Sequence, residues 1–206
     1  MTPAASWRML GLVCLVTATT LRLFAADSPG DPAAARLRTA VEEVLAAAYP
    51  PTGTEPSSRT DLRRVLEKHV DAELLTKRAI GPSWRTFTPT QQQRAVALFS
   101  ELVFRTYGAK IGSGSRPIIE YHPAVVLATN RRELPIAVTQ DGKPASAAFR
   151  FERIGGDWRI YDIVVEGVSL VANYRAQFND LVQRKGSDGL FRALEQKLAE
   201  TSGSAK

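Results

Sequence analysis

The chain is short of reactive groups: among its 206 residues stand one cysteine and two histidines. The cysteine, Cys14, sits within the apolar N-terminal stretch Met9 to Leu21, so removal of that stretch leaves a chain without any thiol. Disulfide staples, cysteine metal sites and thiol catalysis are then excluded together. The stretch is also too short to span a bilayer. It runs about 13 residues after Arg8, against the roughly 20 that a membrane-crossing helix needs. It reads as a secretory leader over residues 1–26, cleaved near Ala25 or Ala26, with an uncleaved anchor and a buried helix as the alternatives. Cys14 stands mid-core behind Val13 rather than behind a small residue, which argues against its modification by lipid. Residues 27–206 are expected to form a single domain, long enough to bury a core of its own.

Other absences narrow the function. His69 and His122 lack the spacing of a helical zinc pair. His69 lies on an apolar helix stripe, where a structural role competes with that of ligand or base. Gly112-Ser113-Gly114-Ser115 has neither a nucleophile elbow nor a phosphate-loop lysine, and reads as a flexible connector. Aromatic residues make up only 8% of the chain and the longest basic runs are the pairs Arg63-Arg64 and Arg131-Arg132. No nucleic-acid platform of interleaved aromatic and basic residues is visible. Loss of Arg8 and Arg22 with the leader takes the net charge from +6 to +4, a weak attraction for anionic surfaces at most.

What is present is a clear sequence of helix signals. Asp31-Pro32 opens a segment over residues 33–48 with Leu37, Val41, Val44, Leu45 and Ala48 at helical spacing. Ser58 with Asp61 caps a second helix carrying Leu62, Val65, Leu66 and His69, and a third runs from Asp71 to Gly81-Pro82. Thr88-Pro89-Thr90-Gln91 is the strongest start signal, leading into Ala95, Val96, Leu98, Phe99, Leu102, Val103 and Tyr107. After Ser115 the period changes. Residues 118–128, 134–139, 145–151 and 158–165 read as strands, with Asp141-Gly142 and Gly155-Gly156 as turns. Helix returns with Val171, Tyr174, Phe178 and Leu181, and again after Gly186 with Phe191, Leu194 and Leu198. Consecutive short strands between helices give an α+β class with a mainly antiparallel sheet.

Asp162 and Glu166 fall on one face of the last strand by alternation, with Tyr161, Ile163 and Val165 on the other. Three uses stand open for the carboxylates: acid and base work, ion pairing with an arginine such as Arg159 or Arg175, and contact with a partner.

The run Trp158-Arg159-Ile160-Tyr161-Asp162-Ile163-Val164-Val165-Glu166-Gly167-Val168-Ser169-Leu170, continued by Val171-Ala172-Asn173-Tyr174-Arg175-Ala176-Gln177-Phe178, resembles the MlaC family, also called toluene-tolerance or Ttg2 auxiliary proteins. Lys185-Gly186, Asp188-Gly189-Leu190, Leu194 and the upstream Ile80-Gly81, Trp84-Arg85, Thr88-Pro89, Gln91, Phe99 and Tyr107 extend the likeness over about residues 35–198. The resemblance implies a curved, mainly antiparallel sheet packed with helices around an apolar lipid-binding cavity. It implies a periplasmic, noncatalytic carrier without a cofactor, holding a phospholipid or hopanoid-like lipid by its tails. Its implied partners are the substrate-binding component of an inner-membrane ABC transporter and an outer-membrane lipoprotein complex. A noncatalytic scaffold on the same fold is the alternative. Phe99, Val103, Tyr107, Tyr161, Val165, Tyr174 and Phe178 are the implied tail contacts, with core packing as the competing use of each. Trp84 and Trp158 are expected to be structural, Gly167 to let the chain turn into the last helices, and Ser169 to stand near their start. A lipid pocket is expected in the usual range of about 300 to 1,000 Å³.

Overall fold

Helix boundaries follow the capping chemistry. Asp31 accepts a bond from the Ala33 amide at 2.8 Å and Pro32 fills the first position of α1 (Pro32–Ala48). The Ser58–Asp61 box starts α2 (Arg59–His69), Asp71 caps α3 (Ala72–Ile80), and the Thr88–Gln91 box starts α4 (Pro89–Tyr107). Each such cap contributes about 1 kcal/mol. Gly81, at φ 72°, ends α3 and passes the chain into a 3-10 segment, Gly81–Thr86. The computed structural model describes residues 30–51 and 58–203, and the leader expected at residues 1–26 lies outside them.

Six strands follow: β1 (Ile118–Tyr121), β2 (Val125–Ala128), β3 (Arg131–Gln140), β4 (Lys143–Ile154), β5 (Asp157–Val165) and β6 (Val168–Ser169). All pair antiparallel in the order β1-β3-β4-β5-β6, with β2 also on β3. The single strand expected over residues 118–128 is therefore two. Pro123 has no N–H for the ladder, and the last bond before the break is His122 N to Pro135 O at 3.0 Å. Three hairpins have two-residue turns whose central residues both take positive φ: Asp141-Gly142, Gly155-Gly156 and Glu166-Gly167. That geometry matches the strand twist. The third turn places Glu166 outside the strand ladder, at φ 49°, so the expected face shared by Asp162 and Glu166 does not form.

A bulge decides the faces of β5. Phe151 stands opposite Ile160 and Arg150 opposite Asp162, which leaves Tyr161 without a partner. The extra residue resets the alternation. Ile163 and Val165 consequently rejoin the face of Trp158 and Ile160, while Asp162 joins the face of Arg150 and Glu133. This corrects the expectation that Tyr161, Ile163 and Val165 share a face.

The chain closes with α5 (Leu170–Gly203), interrupted at Gly186, where φ is 66°. Ser169 caps it, accepting from the Ala172 amide at 3.0 Å. Two cores result. Phe99, Leu102, Trp84, Phe178 and Phe191 pack α3, α4, the 3-10 segment and α5 together; Ala33 and Leu37 of α1 cover Leu134, Ile136, Phe151, Trp158 and Ile160 on the sheet. Val70 touches both, and Asp71 N donates to Ile160 O at 3.0 Å. The helical layer is thereby fixed to the edge of β5, giving the α+β class that the sequence indicated.

Candidate functional site

Where the two cores meet, an apolar groove of about 130 Å³ lies between α2, α4 and the sheet. Its wall consists of Leu66 and Val70 near the end of α2, Leu75 of α3, Val103, Phe104 and Tyr107 of α4, Ile111, and Ile163 of β5. The wide apolar face of α4 explains the geometry. Ala95, Phe99 and Leu102 turn into the helical core, whereas Ser100, Val103, Phe104 and Tyr107, one helical stripe further round, turn toward the groove.

Of the seven residues expected at tails, Val103 and Tyr107 line this groove. Val165 stands two residues beyond Ile163 on the same strand face and is 45% exposed, beside its cross-strand partner Val168 at 61%. These two valines extend the strand face of Ile163 out to solvent, beyond the residues that line the groove. Phe99, Tyr174 and Phe178 are instead fully occupied with each other: Phe99 lies 4.8 Å from Tyr174 and 5.1 Å from Phe178, centroid to centroid. They belong to the helical core against which Val103 packs. Tyr161, the bulge residue, is buried with the Arg78 guanidinium 4.3 Å from its ring centre and does not line the groove.

Polar groups edge the groove. Arg63 of α2 reaches Glu67 at 2.7 Å and Glu101 of α4, and its guanidinium lies 5.2 Å from the Phe104 ring centre. Glu101 also receives Arg105. Burial alone would raise the Glu101 carboxyl, yet the bonds from Arg63 and Arg105 outweigh it and hold the group below its usual value. In the helical core, burial pushes the Tyr174 phenol up to about 12, helped by its hydrogen bond to Tyr107 and by the charge that Tyr107 would carry.

Candidate catalytic groups do not gather at this groove. Asp162 is buried on the opposite face of the sheet, where it accepts from Arg150 at 3.0 Å, Ser169 Oγ at 2.6 Å and the Val171 amide at 3.0 Å. Its partner is the cross-strand Arg150 rather than Arg159 or Arg175. Glu166 holds the Ser146 hydroxyl at 3.1 Å. His69 is buried between helices with Nε2 2.9 Å from Glu43, and His122 is exposed at the β1–β2 break. Among the described residues no three His, Cys, Asp or Glu side chains cluster as a metal site. The Gly112–Ser115 connector is tied down: Gly112 N donates to the Tyr49 hydroxyl at 3.2 Å and the Gln140 amide bonds Ser113 O at 2.6 Å.

Sequence reasoning missed Leu66, Val70, Phe104 and Ile163. The i, i+3, i+4, i+7 series Ser100, Val103, Phe104, Tyr107 was a readable signal for Phe104. Nothing local announces the bulge that turns Ile163 inward. The groove also falls short of the expected range of about 300 to 1,000 Å³, and Arg63 of α2 bridges its edge to Glu101 and Phe104 of α4.

A family model described as MlaC protein matches residues 38–196. Among curated proteins, the toluene tolerance protein ttg2D of Pseudomonas putida is 28% identical over 181 residues, covering 86% of this chain and 84% of its own length. The intermembrane phospholipid transport system binding protein MlaC of Haemophilus influenzae is 22% identical over 147 residues, 69% of each chain. A solved structure of the phospholipid-binding protein from Ralstonia solanacearum, in complex with a phospholipid, aligns with a TM-score of 0.74 and 27% identity. That alignment covers 82% of this chain and 98% of the other.

Proposed function

The chain belongs to the MlaC family, and from that premise we propose that it is a periplasmic carrier that binds a phospholipid by its acyl tails. The observation that carries this reading is the groove beside Val103, apolar on nearly all its surface, with the exposed Val165 and Val168 further along the strand face of Ile163. The phospholipid held by the Ralstonia solanacearum protein of the same fold supports it.

Energetics favour exchange over tight capture. Each CH₂ removed from water contributes roughly 0.8 kcal/mol, so about 30 of them amount to a gross shielding on the order of 24 kcal/mol. A bilayer supplies nearly the same shielding. Net transfer is then close to balance, and a membrane-bound partner needs to bias it by only a few kcal/mol. We assign those partners to the two complexes implied by the family, one at each membrane. The groove of about 130 Å³ is smaller than a lipid pocket. In this reading it is the closed form, and it widens as α2 moves away from α4.

The test is uptake. Incubated with phosphatidylcholine vesicles and separated from them, the protein should carry lipid at a fixed ratio. A protein that returns empty would favour the scaffold alternative. Export is tested separately: N-terminal sequencing of the protein recovered from the periplasm should begin near Asp27, and a retained Met1 would reject cleavage.

A further inference from the structure

On the far side of α3 from the groove lies a second concavity of about 570 Å³, within the range of small-molecule sites. The two share α3 but not its faces: Ala72 and Leu75 face the groove, whereas Lys77 and Arg78 face the second site. On the sheet, Ile163 lines the one and Glu152, on the opposite face, lines the other. A lipid held in the groove therefore does not place its head group here.

The charge of this site is strongly one-sided. Lys77 and Arg78 of α3, Arg85 of the 3-10 segment and Arg175 of α5 converge on it, against the single carboxylate of Glu152. Glu152 is taken by Arg78, which also covers the Tyr161 ring. Among the described residues no carboxylate pairs with Lys77, Arg85 or Arg175. Gly81 is part of the construction: a Cβ there would stand 3.0 Å from Arg175 Nε, so its absence lets the guanidinium lie against the backbone.

We propose that this basic concavity binds a phosphate group, borne either by a soluble molecule or by a second lipid head group. Two planar guanidinium forks and an ammonium, brought by three elements to the wall of one concavity, suit a multiply charged oxyanion.

The test has two arms. Full-length mature protein is titrated with inorganic pyrophosphate by calorimetry at low salt, and separately sedimented with neutral vesicles with and without a phosphate-monoester lipid. Saturable binding is expected in at least one arm, and which arm identifies the source. The double variant Arg85→Gln, Arg175→Gln should weaken it at least ten-fold, with the circular dichroism spectrum and the groove's lipid content unchanged. Lys143→Gln, which removes one positive charge at the other end of β4, should leave it intact. The proposal is overturned if neither arm saturates or if the double variant binds as the parent does.

Discussion

Asp162 shows how a residue that looks catalytic in sequence becomes structural in space. Its carboxylate is buried and makes three bonds, to Arg150, Ser169 and the Val171 amide. The last two lie at the start of α5, so the group joins the sheet to the first turn of the helix and complements its N-terminal dipole. Arg150 in turn holds Glu133 at 2.7 Å, completing a line of charge across β3, β4 and β5. Replacing Asp162 by Asn removes the charge and turns one accepting oxygen into an NH₂ group that faces donors. Hydrogen bonds to charged groups contribute about 1.5 to 3 kcal/mol, so D162N should lose on the order of 2 kcal/mol of stability. Urea unfolding measures this. A loss of lipid uptake without a loss of stability would instead argue for a direct role.

At the scale of elements, the proposed widening of the groove falls to α2. Its hold on α4 over the groove is Arg63, bonded to Glu101 and stacked on Phe104. Glu101 has a depressed folded value, so its contribution is present above the ordinary carboxylate pKa of about 4.3 and is lost as pH falls through the folded value. Acid should therefore loosen the latch, and Glu101→Gln should do so at neutral pH. Exchange of lipid with vesicles is expected to quicken in both cases, with stability falling by less than about 1 kcal/mol, as befits a partly exposed ion pair. Parental exchange rates for E101Q across the pH range would contradict this. The same scale shows what was legible in sequence. Capping residues Asp31, Ser58, Asp71 and Thr88 are local signals, and each helix starts where its cap stands. Two-residue turns with glycine were legible too. The Tyr161 bulge was not, because it depends on which residue of β4 each residue of β5 meets. From that one displacement follow Ile163 at the groove, Tyr161 away from it, and Arg150 as the arginine that pairs with Asp162. Phe99, Tyr174 and Phe178 converge as their spacing suggested, but on one another, since rings at 4.8 to 5.3 Å leave no gap between them.

Across the whole molecule a filled helical core stands beside an apolar groove, which in the proposed function opens for a ligand. Phe178 belongs to the first and Val103 to the second. Phe178→Ala should leave a cavity and cost about 3 to 5 kcal/mol, with lipid content falling only as the fold is lost. Val103→Trp should act in the opposite way, filling space that tails need while the α4 face toward Phe99 stays packed. The most direct measurement is native mass spectrometry of the parent and V103W proteins, exported, purified without detergent and checked by circular dichroism. The account predicts a parent carrying phospholipid and a folded V103W protein that is largely empty. An empty parent, or a folded V103W protein with the parental load of the same lipid, would contradict it.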